Sequence, residues 1–518
     1  MLHKLKKYNQ WSLIAIGTAI WSLTMVKSGW IYSYGMGFWG ANGHDGIWHL
    51  SLIESLSRGS LAAPMFSGEI IKNYHLGFDL ILAGLHRLTG IPVVNLYFQI
   101  APVILAFLIG FLTFKLTRNL WSVFFVYFGS NWAWIFGRGE SSFWSQASIS
   151  TLINPPFALS LVTLLLGLIL LKQKRYWLAG LIFGLLVQVK IYAAILIISG
   201  LGVAALKNRH LLKTLFAASI VSLPLYLITN RQSASLIIFQ PGWFLETMMA
   251  LSDRLNWPRF YGAMTNYRAA GNWFKAIAAY LAALTIFVFG NLGPRLIFLA
   301  RKVDLFYATI MVVGIILPML FLQSGTPWNT IQFFYYTLFF AGLLAGEVLK
   351  ILNIKFQILV VLLTLPTTLI TLHDVYLPSR PPAMVSRSEL EALNFLRRQP
   401  AGIVLTPVVN PNPYTPPPRP LYLYESTAYV SALSGQSVYM EDEVNLNITD
   451  FAWQTRRQAI LNLFNQTDSQ TATAWLESQH IKYLYLPQVA FVRPLLSETA
   501  LGMTKLFENS QVAIWQRK

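Results

Sequence analysis

About eleven long apolar runs dominate this sequence and restrict it to a protein that crosses a membrane repeatedly. The runs occupy residues 11–27, 92–114, 120–137, 156–171, 176–189, 191–206, 211–229, 277–299, 304–323, 329–349 and 356–373. A helix of about 17–25 apolar residues crosses the hydrocarbon core of a bilayer. Only 12% of the 518 residues are charged, whereas soluble domains carry about 25%. The sequence therefore predicts a mainly α, polytopic membrane protein with about 11 transmembrane helices.

Basic residues lie at alternate ends of these runs, and this alternation predicts the orientation of the chain. The sequence has 39 Lys and Arg against 21 Asp and Glu, a formal charge of +18. The clusters fall within residues 4–7, 115–118, 172–175, 207–213, 295–302 and 350–355. Cytoplasmic helix ends collect Lys and Arg, so we expect the N-terminus in the cytoplasm. The charge then reflects a multi-pass protein of the cytoplasmic (plasma) membrane, with no nucleic-acid partner.

The segment 74–90 is apolar but contains His75, Asp79, His86 and Arg87. Polar groups are costly in lipid, so we interpret this segment as a juxtamembrane or re-entrant helix on the outer face. Three outer loops then follow from the span pattern, at residues 28–91, 138–155 and 230–276.

Charged and polar residues return after residue 377. Periodicity there predicts helices at 386–398 and 471–479 and strands at 402–409 and 482–486. The sequence thus predicts a transmembrane module over 1–377 and a soluble, extracytoplasmic α/β domain over 378–518.

The first outer loop carries the most informative polar motif, Gly43-His44-Asp45-Gly46-Ile47-Trp48-His49. Asp45 is expected to begin a helix, and His49 follows four residues later on the same face. A carboxylate and an imidazole so placed could take a proton from a hydroxyl or hold a divalent ion such as Mg²⁺ or Mn²⁺. The alternative is an ordinary helix cap beside a histidine. The chain has no cysteine, so thiolate chemistry and disulfides are excluded.

Three further sets of polar residues are candidates for substrate binding. Lys190 lies between two apolar runs, where an ammonium needs a partner or a wet cavity and suits a phosphate; the alternative is snorkelling to the interface. Asn329 and Gln332 lie in a short outer turn that leads into a helix rich in aromatic residues. The N-terminus of a helix favours anions. The alternative for the aromatic residues is an interfacial belt. Arg138 is one of several outer arginines that could supply a second phosphate contact.

The layout resembles the GT-C superfamily of integral membrane glycosyltransferases, and more narrowly the bacterial relatives of protein mannosyltransferases and lipid A aminoarabinose transferases. Asp45 within HDGIWH resembles the acidic motif in the first outer loop of that family. The segment 74–77, Tyr-His-Leu-Gly, resembles the stretch before the second span but lacks the two prolines common there. Residues 188–190, Gln-Val-Lys, resemble the Leu-Thr-Lys segment whose lysine meets the donor phosphate in the family.

This resemblance implies a GT-C fold and transfer of a sugar from a polyprenyl-phosphate-linked donor on the outer face, with inversion at the anomeric carbon. Asp45 would be the base or would orient the acceptor, and Lys190 would stabilise the leaving phosphate across a common chamber. The implied substrate-binding residues are His44, His49, His75, Lys190, Asn329, Gln332 and Arg138.

The partners would be the donor lipid, membrane lipids and a glycan, lipid or protein acceptor. Asp45 is followed by Gly46 rather than by the second acid found in many relatives, which leaves the need for a metal at Asp45 and His49 open. Two alternatives remain, a flippase or transporter of lipid-linked saccharides and a non-catalytic membrane protein that binds envelope polymers.

Overall fold

The computed structural model describes residues 2–230, 237–324, 326–411, 414–488 and 493–517. Its α-helices are α1 Leu2–Ser22, α2 Asp45–Ser57, α3 Gly77–Thr89, α4 Val93–Asn95, α5 Ala101–Thr117, α6 Leu120–Phe128, α7 Pro155–Lys172, α8 Tyr176–Gly184, α9 Leu186–Val189, α10 Ile191–Ala205, α11 Leu211–Thr229, α12 Trp243–Ala250, α13 Pro258–Ala269, α14 Trp273–Leu292, α15 Leu305–Leu320, α16 Gln332–Leu349, α17 Ile354–Thr371, α18 Arg387–Arg397, α19 Leu421–Tyr424, α20 Tyr429–Ser434, α21 Glu443–Ile448, α22 Trp453–Phe464 and α23 Ser469–Ser478. Its strands are β1 Ile31–Tyr32, β2 Gly35–Phe38, β3 Ile237–Phe239, β4 Phe321–Gln323, β5 Ala383–Ser386, β6 Ile403–Leu405, β7 Arg419–Pro420, β8 Ser437–Val438, β9 Ile481–Pro487, β10 Met503–Glu508 and β11 Val512–Arg517.

The chain divides into two compact units. The first contains the described residues within Met1–Thr24, Ala101–Asn230 and Ser235–Pro378. The second contains those within Met25–Ile100 and Ser379–Lys518. The second unit thus contains the whole of the predicted first outer loop, residues 28–91, together with the C-terminal segment from Ser379, whereas the sequence prediction placed that loop in the transmembrane module.

Apolar helices of membrane-spanning length confirm the predicted class, a polytopic helical membrane protein. Six stretches among the described residues are long and apolar enough to cross a bilayer: Val93–Thr117, Pro155–Lys172, Leu211–Thr229, Trp273–Ala300, Asn329–Leu349 and Ile354–Tyr376. Three shorter apolar helices cover Tyr176–Val189, Ile191–Ala205 and Leu305–Leu320. These nine coincide with nine of the predicted runs, and the count of about eleven spans stays a prediction.

The predicted span 120–137 is α-helical only as far as Phe128, and a short 3₁₀ helix covers Ala133–Phe136. Helix α6 has nine residues, which is about 14 Å of helix and less than half of the hydrocarbon thickness. The next residues are Gly129, Ser130 and Asn131, and the Asn131 side chain accepts from the Ala133 N–H at 3.1 Å. This polar turn ends the helix, although the aromatic residues after it keep the mean hydropathy high.

Close packing in the first unit depends on small residues that face one large ring. A Cβ at Gly17 or Gly110 would lie 2.3 Å or 2.1 Å from the Tyr127 ring or hydroxyl. The Tyr127 hydroxyl donates to the Ala106 carbonyl at 2.8 Å, and the Trp21 indole donates to the Tyr127 carbonyl at 2.8 Å. Small residues let helices approach closely in a membrane, so these two glycines allow α1 and α5 to pack against α6.

Two sheets organise the second unit. One has the strand order β1-β2-β5-β7, and the other has the order β10-β11-β9-β6-β8. Strand β2 is antiparallel to β5 with Gly35 opposite Ser386, so the predicted first outer loop and the C-terminal segment build one sheet. In the second sheet, β6 runs parallel to β8 and β9, whereas β11 runs antiparallel to β9 and β10, so this sheet is mixed.

The C-terminal elements follow the sequence predictions closely. The helix expected at 386–398 is α18, where Ser386 and Glu389 form a capping box. The helix expected at 471–479 is α23, and the strand expected at 482–486 is β9. The strand expected at 402–409 is shorter, since β6 covers only Ile403–Leu405. The segment 74–90 contains α3, which is not among the apolar helices of spanning length in the described residues.

Candidate active site

Asp45 lies at the start of α2, in the second unit, as the sequence predicts. Its side chain is 45% exposed, and one carboxylate oxygen, Oδ1, lies 3.0 Å from Nδ1 of His44. His44 is buried, so the imidazole is a fixed partner for a carboxylate that remains open to solvent. A carboxylate at a helix N-terminus is also favoured by the helix dipole.

The other ring nitrogen of His44 faces a second carboxylate from the C-terminal segment. Nε2 of His44 lies 3.3 Å from Oδ1 of Asp442, whose side chain is fully buried. Asp442 adopts a left-handed backbone conformation and caps α21 by accepting from the Asn445 N–H. His44 therefore joins two carboxylates, Asp45 and Asp442, that come from distant parts of the sequence.

These charges determine the protonation of His44. Burial lowers the pKa of His44, but the charges and hydrogen bonds of Asp442 and Asp45 outweigh it and hold the pKa well above its usual value. Burial raises the pKa of the nearby Glu425. The charge of His44 lowers this pKa, and the negative charges of Asp442 and Asp45 raise it. The site therefore combines one cationic imidazole with several acidic groups.

His49 forms a separate pair within the same unit. Its Nδ1 lies 2.8 Å from Oδ1 of Asp79, and both side chains are buried. Its Nε2 lies 3.4 Å from the Tyr74 hydroxyl, and the ring stacks on Tyr97 with centroids 5.6 Å apart. Residues 45 and 49 share a helix face, as predicted, but each is paired with a different partner.

His75, another predicted site residue, belongs to this aromatic cluster. Its ring stacks on that of Tyr74 with centroids 4.6 Å apart, and it is half-buried. His75 is thus two contacts away from His49, through Tyr74. The structure brings His44, Asp45, His49 and His75 into one unit.

The predicted metal ligands do not form a ligand set. Among the described residues there is no group of three or more His, Cys, Asp or Glu side chains that could hold a metal ion. Nδ1 of His49 is directed at Asp79, while Asp45 contacts His44. The described residues thus provide no ligand set around Asp45 and His49, and a metal at these two residues stays a prediction.

Lys190 lies in the first unit, at the break between α9 and α10. It is 4% exposed, and its Nζ donates to Oδ1 of Asn154 at 3.3 Å. Nζ also lies 5.6 Å from the centroid of the Tyr192 ring, and the Tyr192 hydroxyl donates to Gln323 at 3.2 Å. The buried ammonium thus contacts the Asn154 side chain, which caps α7, and the Tyr192 ring of α10.

The remaining predicted residues also lie in the first unit. Gln332 donates to Asn329 at 3.4 Å at the start of α16, so the two amides pair with each other. Arg138 is exposed and donates to the Arg254 carbonyl. Gly325, in the same predicted turn, lies outside the described residues.

Sequence reasoning missed the partners of these residues. Asp442 and Glu425 stand far from the first loop in the sequence, in a segment whose only local signals are turns and short helices. Asp79 gave a local signal, because it is an acid in the first turn of a helix that is apolar until His86 and Arg87 in its last turn. Asn154 was visible as the cap of α7, but not as the acceptor for Lys190.

Comparisons with known proteins give likenesses of fold. No protein family model and no curated protein matches the sequence. The chain is similar to the oligosaccharyltransferase of Archaeoglobus fulgidus solved with Zn and sulfate, with 14% identity, a TM-score of 0.47, and coverage of 92% of this chain and 68% of that one.

Two other solved structures hold lipid phosphates. The archaeal oligosaccharyltransferase AglB of Archaeoglobus fulgidus, in complex with an inhibitory peptide and a dolichol-phosphate, is 12% identical, with a TM-score of 0.48 and coverage of 93% of this chain and 70% of that one. ArnT from Cupriavidus metallidurans, bound to undecaprenyl phosphate, is 10% identical, with a TM-score of 0.46 and coverage of 97% of both chains. Each likeness concerns the backbone layout over most of the chain.

Proposed function

We propose that this protein is a membrane glycosyltransferase that moves a sugar from a polyprenyl-phosphate-linked donor to an acceptor hydroxyl on the outer face of the cytoplasmic membrane. The observation that carries the proposal is the state of Asp45. This carboxylate is 45% exposed at the start of α2 and is held by a buried imidazole. A fixed, accessible carboxylate is what a transferase needs in order to bind the hydroxyl that attacks the sugar.

Asp45 acts on the acceptor in this scheme. Its carboxylate accepts a hydrogen bond from the acceptor hydroxyl and takes the proton as the oxygen attacks the anomeric carbon. The new bond joins the acceptor oxygen to that carbon, and the bond from the carbon to the phosphate oxygen breaks. Attack opposite the leaving group inverts the anomeric carbon.

Lys190 acts on the leaving group. The phosphate departs with its electron pair and gains negative charge, which a preorganised cation stabilises. Lys190 is buried and oriented by Asn154, so its ammonium is fixed before the donor binds. Its place between α9 and α10 suits a donor whose lipid chain lies among apolar helices.

The other predicted residues would bind the two substrates. Asn329 and Gln332 present amides at the start of α16, and amides suit sugar hydroxyls. His44, His49 and His75 would support Asp45 or the acceptor, and Arg138, which is exposed, would make a second phosphate contact.

The experiment that tests this proposal compares two carboxamide variants of the full chain in proteoliposomes. Asp45→Asn removes the proposed base. Asp374→Asn is the matched control, because His373-Asp374 has the same sequence as His44-Asp45. Nδ1 of His373 lies 2.7 Å from Oδ1 of Asp374, and both side chains are exposed. The donors are undecaprenyl phosphates carrying ¹⁴C-labelled hexoses or pentoses, and the acceptor source is an envelope fraction from cells that carry the gene.

We expect the wild type and Asp374→Asn to move label from lipid to acceptor. We expect Asp45→Asn to be slower by about 10²–10⁴-fold, the usual contribution of a general base. Full activity in Asp45→Asn would remove Asp45 from the mechanism. Movement of intact donor across the bilayer would identify a flippase instead, and binding without transfer or movement would identify a non-catalytic protein.

A further inference from the structure

The C-terminal segment places a buried carboxylate against the histidine that holds Asp45. Asp442 and Asp45 contact opposite nitrogens of the His44 ring, at 3.3 Å and 3.0 Å. Two carboxylates on opposite sides of one imidazole favour its positively charged form, because each negative charge lies within ion-pair distance of a ring nitrogen. The three side chains thus form a chain from the C-terminal segment to the exposed carboxylate.

The turn that carries Asp442 is fixed on both sides. The neighbouring Glu441 side chain accepts from the backbone N–H groups of Val430 and Ser431 at 3.0 Å each. The Glu441 backbone N–H donates to the Met65 carbonyl at 2.9 Å, which ties this turn to the residues that follow α2. Asp442 is therefore held in a defined position relative to the segment that carries His44.

Asp442 also has local bonds that explain its backbone conformation. Its two carboxylate oxygens accept from the backbone and side-chain N–H groups of Asn445 at 3.0 Å each. A helix cap alone accounts for these bonds, and a cap does not require a histidine. The contact with His44 is an additional role for a side chain that is fully buried.

We propose that Asp442 is a positioning residue, which acts through His44 to hold Asp45 in the orientation that the acceptor hydroxyl requires. The inference rests on the proposed function and extends it, because the C-terminal segment then completes the active site. Asp442 does not touch substrate. It fixes the imidazolium, and the imidazolium fixes one oxygen of Asp45, while the exposed part of that carboxylate remains available.

The test uses Asp442→Asn in the full chain. Asparagine keeps one oxygen for the Asn445 backbone N–H and tolerates the left-handed conformation, so this variant removes the charge and the bond to the Asn445 side chain but keeps the helix cap. The matched control is Glu389→Gln, since Glu389 is a buried carboxylate of the same unit that caps α18. Glutamine preserves a capping box.

We expect Asp442→Asn to lower kcat by about tenfold, as for loss of a buried charge that lies 3.3 Å from the imidazole, with little change in KM for the ¹⁴C-labelled donor. Glu389→Gln should match the wild type. Asp442 acts through His44, so Asp442→Asn should have no further effect in a His44→Ala background. Wild-type kcat in Asp442→Asn, or equal effects of Asp442→Asn with and without His44, would overturn the proposal.

A second readout does not depend on transfer. Hydrogen–deuterium exchange at the His44 ring carbon, followed by mass spectrometry, reports the pKa of His44, which faces Asp45, Asp442 and the charge of Glu425. We expect Asp442→Asn to lower this pKa and Glu389→Gln to leave it unchanged. If the pKa falls while the wild type transfers no sugar, the link to His44 stands and the proposed function fails. An unchanged pKa overturns the proposal for Asp442 whatever the activity.

Discussion

Lys190→Met gives the sharpest test of where the donor phosphate binds, because binding and stability should respond differently. The Lys190 side chain is 4% exposed and donates to Asn154 at 3.3 Å. Methionine has a similar length and no charge. The substitution therefore removes the ammonium and leaves a side chain that packs well among apolar helices.

The magnitude follows from the bond that would be lost. A hydrogen bond to a charged group contributes about 1.5–3 kcal/mol, which corresponds to a weakening of about 10–150-fold in Kd for undecaprenyl phosphate. Without lipid, the substitution removes the bond to the Asn154 amide and the contact with the Tyr192 ring, but it also removes the cost of a buried charge. We therefore expect the Tm of the lipid-free variant to match or exceed that of the wild type.

The assay titrates ¹⁴C-labelled undecaprenyl phosphate into nanodiscs that contain the full chain, and measures thermal unfolding in parallel. Lys172→Met is the matched control, since Lys172 also ends an apolar helix and donates to the Leu116 carbonyl at 2.8 Å. Equal affinity of Lys190→Met and the wild type for undecaprenyl phosphate would refute a phosphate contact at Lys190. It would favour the alternative that the lysine side chain snorkels to the membrane interface. A large fall in Tm would show that the lysine is structural.

Two predictions concern the second unit. Burial raises the pKa of Glu389 to about 7 and that of Glu441 to about 8, although hydrogen bonds partly oppose this. Between about pH 5 and pH 8 the folded state therefore keeps protons that the unfolded state has released, so the free energy of unfolding should fall as the pH rises, and its slope should be shallower in Glu441→Gln. Chemical denaturation at pH 5.5 and at pH 8 measures this free energy. A free energy of unfolding that rises between these two pH values would contradict the prediction. Gly35→Ala should destabilise the protein by about 2 kcal/mol or more, because φ is +134° and a Cβ would lie 2.1 Å from the Val385 carbonyl oxygen. Gly59→Ala, with φ of +76° and nothing within 4 Å, should cost about 1 kcal/mol; equal losses of Tm in the two variants would contradict the strand-contact explanation.

Patterns of local hydropathy predicted the membrane helices well. Spacing and composition decide whether a segment can cross a bilayer, and neither depends on distant contacts. The span predicted at 120–137 was too long because it also rested on local hydropathy. The mean hydropathy of a long window stays high even when the window contains a short polar turn. Asn131 makes that turn stable by donating to the Glu140 carbonyl at 2.7 Å, a bond that no local pattern shows.

The candidate site was predictable only in part. Asp45 and Lys190 stand out in the sequence, because one is an acid in a polar motif and the other a cation in an apolar run. Their partners depend on tertiary contacts. Asp442 reaches His44 only because the C-terminal turn packs on the segment after α2, and Asn154 reaches Lys190 only through helix packing. Whether Asp45 and Lys190 serve one chamber stays a prediction.

The pairing of β2 with β5 has a consequence for biosynthesis. The ribosome makes Gly35 long before Ser386, its partner across the sheet, so strand β2 must wait while all the intervening helices are synthesised and inserted. During that interval β1 can pair with one edge of β2, but the edge that faces β5 has no strand to bind. We expect a chain truncated before residue 379 to be degraded rather than to accumulate, and we expect the open edge of β2 to be a binding site for chaperones until translation ends.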